Sequence, residues 1–319
     1  MTVALALFGY ALLLGTVGAH ALARAEWVHR APRLGIALWQ ALSGSVILAV
    51  ALGGTALMIP TIELGQRLAD LLQACGAAIR AQYATPGGAA VSAVGASVVA
   101  GTLGRAVYCL ARELILASRH RRRHRDGLAL IGRPAPKLGF LIVDHGTAAA
   151  YCLPGRRRQI VLTSAALAAL DADQLDAVLA HERAHLRGRH HLVLAGAQGL
   201  QRAFPVLPCF RLAPLALARL VEMLADDEAV RRHPRLTIAT ALVALADSTA
   251  PAATLPAGGP TAAARVHRLA APARPLGPVC TTLATLLLAT AVIAPVALAV
   301  APALAAVGAN YCPIEFAPS

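Results

Sequence analysis

The chain has 319 residues, 57% of them hydrophobic without counting glycine and only 14% charged, against about 45–50% with glycine and about 25% in soluble domains. That composition argues against an ordinary soluble enzyme and excludes a disordered chain, while six cysteines over this length exclude a disulfide scaffold. The charge is lopsided, with 29 Lys+Arg against 16 Asp+Glu and Lys137 the only lysine, so the composition points to a membrane protein with polar cargo.

Four stretches are long enough to cross a hydrocarbon layer of roughly 30 Å as helix. They run from about Thr2 to Ala23, Leu34 to Pro60, Gly87 to Ala111 and Pro278 to Gly308. The first has no basic residue before its apolar run and Arg24 and Arg30 after it, the reverse of a signal peptide, so it reads as an anchor. Arginines follow the first span (Arg24, Arg30, Arg33) and the third (Arg112, Arg119, Arg121 to Arg123, Arg125, Arg133). Short loops rich in arginine stay in the cytoplasm. The expected topology therefore has both termini outside and the polar region from Arg112 to Gly277 inside. Only Cys75 and Cys312 would then be placed to meet as an external disulfide, and spacing alone does not set their distance.

The polar insert is large enough for a domain. Apolar runs around Phe140, Ile142 and Val143, from Ala149 to Leu153 and from Gln159 to Thr163 predict strands, the last two joined by Pro154-Gly155, in a small antiparallel sheet. Helix follows Ser164, and Asp171 with Gln174 three residues later predicts a capping box opening a second helix. That helix reads Leu175-Asp-Ala-Val-Leu-Ala-His181-Glu182-Arg183-Ala184-His185. Histidines four apart share a helical face and reach one metal ion, with Glu182 placed to take a proton from water: the HExxH pattern. Downstream, Glu222 and Asp226 lie four apart in another Leu- and Ala-rich helix. Glu222 supplies the third ligand of an open zinc site, and Asp226 accepts a hydrogen bond from a ligand imidazole.

HExxH followed by Glu-x-x-x-Asp resembles the gluzincin membrane peptidases of the HtpX/Ste24 and BlaR/MecR groups. The stretch from Ala149 through Gly155-Arg-Arg-Arg-Gln-Ile-Val-Leu-Thr-Ser164 into the HExxH helix is more similar to BlaR/MecR, as are three spans before the insert and one after. The resemblance implies zinc held by His181, His185 and Glu222, Glu182 as general base, and peptide-bond hydrolysis. It also suggests a cytosolic winged-helix repressor, or the chain itself, as substrate; the alternatives are an HtpX-like quality-control protease and a non-catalytic membrane receptor or scaffold. The implied architecture is an α-helical multi-pass membrane protein carrying an α+β metallopeptidase domain: residues 1–111 with three spans, 112–277 the domain, 278–308 the fourth span, 309–319 a short tail. The expected form is one lacking the penicillin-binding sensor, and acylation by a beta-lactam is not expected, since it needs Ser-x-x-Lys and Pro134 stands three residues before Lys137, the only lysine.

The remaining polar features read more plainly. The run Arg119-His-Arg-Arg-Arg-His-Arg125 has no aromatic platform or helix-turn-helix signal beside it, so it reads as a loop facing anionic lipid, where the family resemblance also suggests self-cleavage, and no direct nucleic-acid contact is expected. His190 and His191 read as solvated, Arg105 as snorkelling to the interface, and Pro205, Pro208 and Pro214 as breaking Leu192 to Leu220 into short helices. The edge near Gln159 to Thr163 is a candidate for binding an extended substrate by strand addition.

Overall fold

A computed structural model describes residues 1–58, 87–135, 139–155, 158–247, 259–272 and 275–309. Cys75 and Cys312 lie outside the described residues. The first apolar run is helical from Thr2 to Arg24, as α1 (Thr2–Leu13), a π-helical segment (Leu14–Gly18) and α2 (Ala19–Arg24). A 3₁₀ turn (Glu26–Arg30) leads to α3 (Pro32–Met58). Next comes α4 (Gly88–Ile131), 44 residues long, which at 1.5 Å per residue is about 66 Å. It outruns a bilayer and carries its apolar character into an arginine-rich half. Arg119 to Arg125 therefore sit in continuous helix and not in a loop, and a helical segment cannot lie extended in a protease cleft without unwinding.

Among the described residues, four helices are long and apolar enough to cross a membrane: Thr2–Arg24, Pro32–Met58, Gly88–Ile131 and Pro278–Pro302. Glycine lets two of them touch, since a Cβ on Gly95 would stand 2.5 Å from the Gly54 carbonyl oxygen of α3.

After α4 come β1 (Arg133–Ala135), β2 (Phe140–Val143), β3 (Ala150–Leu153) and β4 (Gln159–Thr163), in the order β1-β2-β4-β3. The expectation of an antiparallel sheet is corrected: β2 and β4 run parallel, Leu141 opposite Val161. The β3 strand forms a hairpin with β4 on its far side, so β4 returns beside β2 in the same direction. Being paired on both sides, β4 has no free edge. The edge strand on that side of the sheet is β3.

Helices α5 (Ser164–Ala169), α6 (Ala172–Arg187), α7 (His190–Ala203), α8 (Pro208–Val230), α9 (Arg235–Asp247), α10 (Gly259–Ala270) and α11 (Pro278–Ala309) complete the chain. Proline breaks the α7–α8 region only at 205–208. Pro214 sits inside α8, whose apolar face holds the helix together through tertiary contacts. One core joins Leu7, Trp39, Leu42 and Val46 of the apolar helices to Phe210, Leu217 and Leu220 of α8. A second packs Phe140, Ile160 and Leu162 of the sheet on Val178 and Leu179 of α6. Between these cores, the polar ends of α6 and α8 meet.

Candidate metal centre

The capping box is present: Gln174 N–H donates to Asp171 Oδ1 at 2.8 Å, and Asp171 N–H donates to Gln174 Oε1 at 3.1 Å. It fixes the first turn of α6, which then carries His181 and Glu182, both buried, and the half-buried His185. From α8, Glu222 projects onto the same point. His181 Nε2 and His185 Nε2 are 3.0 Å apart, Glu222 Oε2 is 3.5 Å from His181 Nε2, and Glu222 Oε1 is 3.4 Å from His185 Nε2.

Zinc bound at about 2.0–2.1 Å by tetrahedral ligands separates them by roughly 3.3 Å. The three donors, all within 4.8 Å of one another, thus fit a zinc ion bound to two imidazoles and a carboxylate, with a position left open. The chemistry of the set agrees, since two imidazole nitrogens and a carboxylate oxygen are donors that suit zinc.

Asp226 is fully buried, with Oδ1 3.0 Å from His181 Nδ1, in ion-pair range though off the direction of a regular hydrogen bond. This holds the proton on Nδ1 and leaves Nε2 for the metal. Asp226 is in turn gripped by Arg265 of α10, Nε to Oδ2 at 2.8 Å and an Nη to Oδ1 at 2.7 Å. The other Nη of Arg265 lies 3.0 Å from Glu222 Oε2. Asp227 and Glu228 turn away to Arg268 and to Arg33 and Arg231.

Two residues join the site that local sequence did not announce. Arg265 is one. The other is His190, which is buried, correcting the expectation that it is solvated; its Nδ1 lies 3.0 Å from His185 Nδ1 with the rings edge to face. Arg189, the only non-glycine residue with positive φ among the described residues (49°), reverses the chain after α6 and brings His190 back over His185. A ring nitrogen there orients the ligand imidazole. His190→Ala is expected to lower zinc affinity about 10–100-fold with the fold retained. Competition with a chromophoric chelator measures this, and unchanged affinity would show that the contact orients nothing.

Burial opposes charge on His181, but Asp226 and Glu222 outweigh it and lift the imidazole to about 9. Burial takes His185 down to about 4. For Glu222 and Asp226 burial is overcome by His181 and Arg265, and both carboxyls fall to about 2. Burial also raises the Glu182 carboxyl, against the pull of His181 and the Cys152 thiol on β3. A metal must displace the His181 proton between neutrality and about 9. Zinc affinity should therefore rise about tenfold per pH unit over that interval. Calorimetric titration in buffers of different ionisation enthalpy should show about one proton released; a pH-independent affinity would refute the assignment.

Residues 117–212 match the model of Peptidase family M48. No curated protein and no solved structure gave a significant match. The matched stretch contains His181, Glu182 and His185 and ends before Glu222. M48 peptidases are zinc-dependent in general, and in this segment, about a third of its length, the chain is similar to them.

Proposed function

We propose that the chain is a membrane-embedded zinc endopeptidase whose site faces the cytoplasm. The observation that carries this reading is the meeting of three ligand atoms from α6 and α8 within 4.8 Å, beside the buried Glu182. A zinc ion there would supply a Lewis acid for the scissile carbonyl and the attacking water. His181, His185 and Glu222 would hold it, Asp226 and His190 would orient the two imidazoles, and Arg265 keeps Glu222 and Asp226 ionised. Glu182 accepts a proton and returns it to the leaving amine; its raised pKa suits a group that must do both near neutral pH. The outer edge of β3, packed against α6, is where an extended peptide adds as a strand.

Arginine after the first and third spans supports the cytoplasmic orientation. The resemblance to BlaR/MecR supports a signalling role, with a transcriptional repressor as substrate. The test is a proteome-wide comparison of cytosolic protein termini between cells carrying the wild-type chain and Glu182→Ala. New termini in a winged-helix repressor, dependent on Glu182, would support signalling. Fragments drawn from many damaged membrane proteins would replace it with quality control, and identical termini in both would leave no peptidase.

A further inference from the structure

The α7–α8 hairpin packs among the apolar helices and not on top of them. A Cβ at Gly15, in the middle of the first, would stand 3.6 Å from both Cys209 Sγ of α8 and Val46 Cγ2 of α3. A Cβ at Gly35 would meet Leu220 Cδ1 at 3.1 Å. Val46 lies eleven residues beyond Gly35 and Cys209 eleven before Leu220, so α8 runs antiparallel to α3 in step with it. Helix α7 does the same along α4: Arg105 reaches the end of α7, and a Cβ at Gly199 would stand 3.1 Å from Leu110 Cα. The hairpin tip, Phe204 to Leu207, therefore lies level with Val46, fourteen residues from the start of α3, or about 21 Å along its axis.

From this we infer that α7 and α8 form a re-entrant hairpin dipping into the bilayer from the side of the metal centre, with lipid acyl chains as the partner of its outer face. The inference rests on the four apolar helices being membrane spans. The exposed surface fits it: Val206 at the tip is 86% exposed, Leu215 69% and Leu192 42%, and Val107, Tyr108, Leu114 and Ile115 on α4 are exposed as well. The polar contacts at the end of α7 fit it too. A helix ending in hydrocarbon must have its last carbonyls satisfied from within the protein, and Arg105 donates to the carbonyls of Ala203 and Arg202. The Arg202 side chain pairs with the buried Glu113 of α4, as an intramembrane charge requires. Arg105 is thus a cap for α7, which corrects its reading as a residue snorkelling alone. Thirteen residues separate Cys209 from Glu222, about 20 Å of helix, so the hairpin sets the metal centre at the membrane surface.

The test uses the full-length chain in phospholipid vesicles, with Val206→Cys, Ile293→Cys on α11 and Leu236→Cys on α9 made singly. Each is treated with a charged, membrane-impermeant maleimide, with both vesicle faces exposed to it, and labelling at each position is read by mass spectrometry. The expected result is that position 206 and position 293 stay at least tenfold less reactive than position 236 in vesicles, and that position 206 becomes reactive in detergent. Position 206 labelled as fast as 236 while 293 stays protected would overturn the hairpin alone. If 293 labels equally, the membrane reading and the hairpin fall together. Zinc content, measured on the same samples, reports on the peptidase reading separately.

Discussion

Glu182→Ala should leave zinc bound and slow peptide cleavage by about 10²–10⁴-fold. The carboxylate lies beside the ligands but is none of the three donors that converge, so its loss removes proton transfer and leaves the metal held. His185→Ala instead removes one of the three converging donors, and zinc and activity should go together. Steady-state cleavage of a peptide library, with metal analysis on the same preparations, separates the two outcomes. Activity retained in Glu182→Ala would assign the general base elsewhere.

The second large effect is expected at Asp226. Its carboxylate is 1% exposed, and Arg265, 12% exposed, binds it through two hydrogen bonds. Asp226→Ala leaves a buried guanidinium with Glu222 alone. Breaking a buried pair costs about 3–5 kcal/mol, and the lower end is expected because Glu222 still compensates part of the charge. Zinc affinity should also drop about 10–100-fold as His181 loses its orienting partner. Asp226→Ala with Arg265→Met removes both charges, and should recover most of the stability but not the affinity. Chemical denaturation of the metal-free chain and chelator competition measure the two effects. A double variant no more stable than the single one would show that the pair does not couple.

What could be read from sequence was what is local. The capping box of Asp171 and Gln174, the shared face of His181 and His185, and the four-residue step from Glu222 to Asp226 each follow from helical periodicity. The four apolar helices follow from length and composition. Contacts made by chain reversal were out of reach. Nothing near His185 shows that Arg189 takes a left-handed conformation and folds His190 onto it. Arg265 is 39 residues from Asp226 and looks like one more arginine before the last apolar run. The parallel pairing of β2 with β4 depends on which side of β4 the hairpin strand β3 falls, which alternation along a strand does not record. Pro214 read as a breaker because propensity counts only the lost hydrogen bond, while α8 is held by Trp39, Leu42 and Val46 across the core.

The central claim is that His181, His185 and Glu222 together hold one zinc ion. Metal analysis of the full-length protein purified in mild detergent tests it most directly, on wild type, Glu222→Ala and Glu182→Ala. The account predicts about one zinc per chain in wild type and Glu182→Ala and little in Glu222→Ala after brief dialysis against a weak chelator. Wild type without zinc, or Glu222→Ala retaining it as firmly as wild type, would contradict the account.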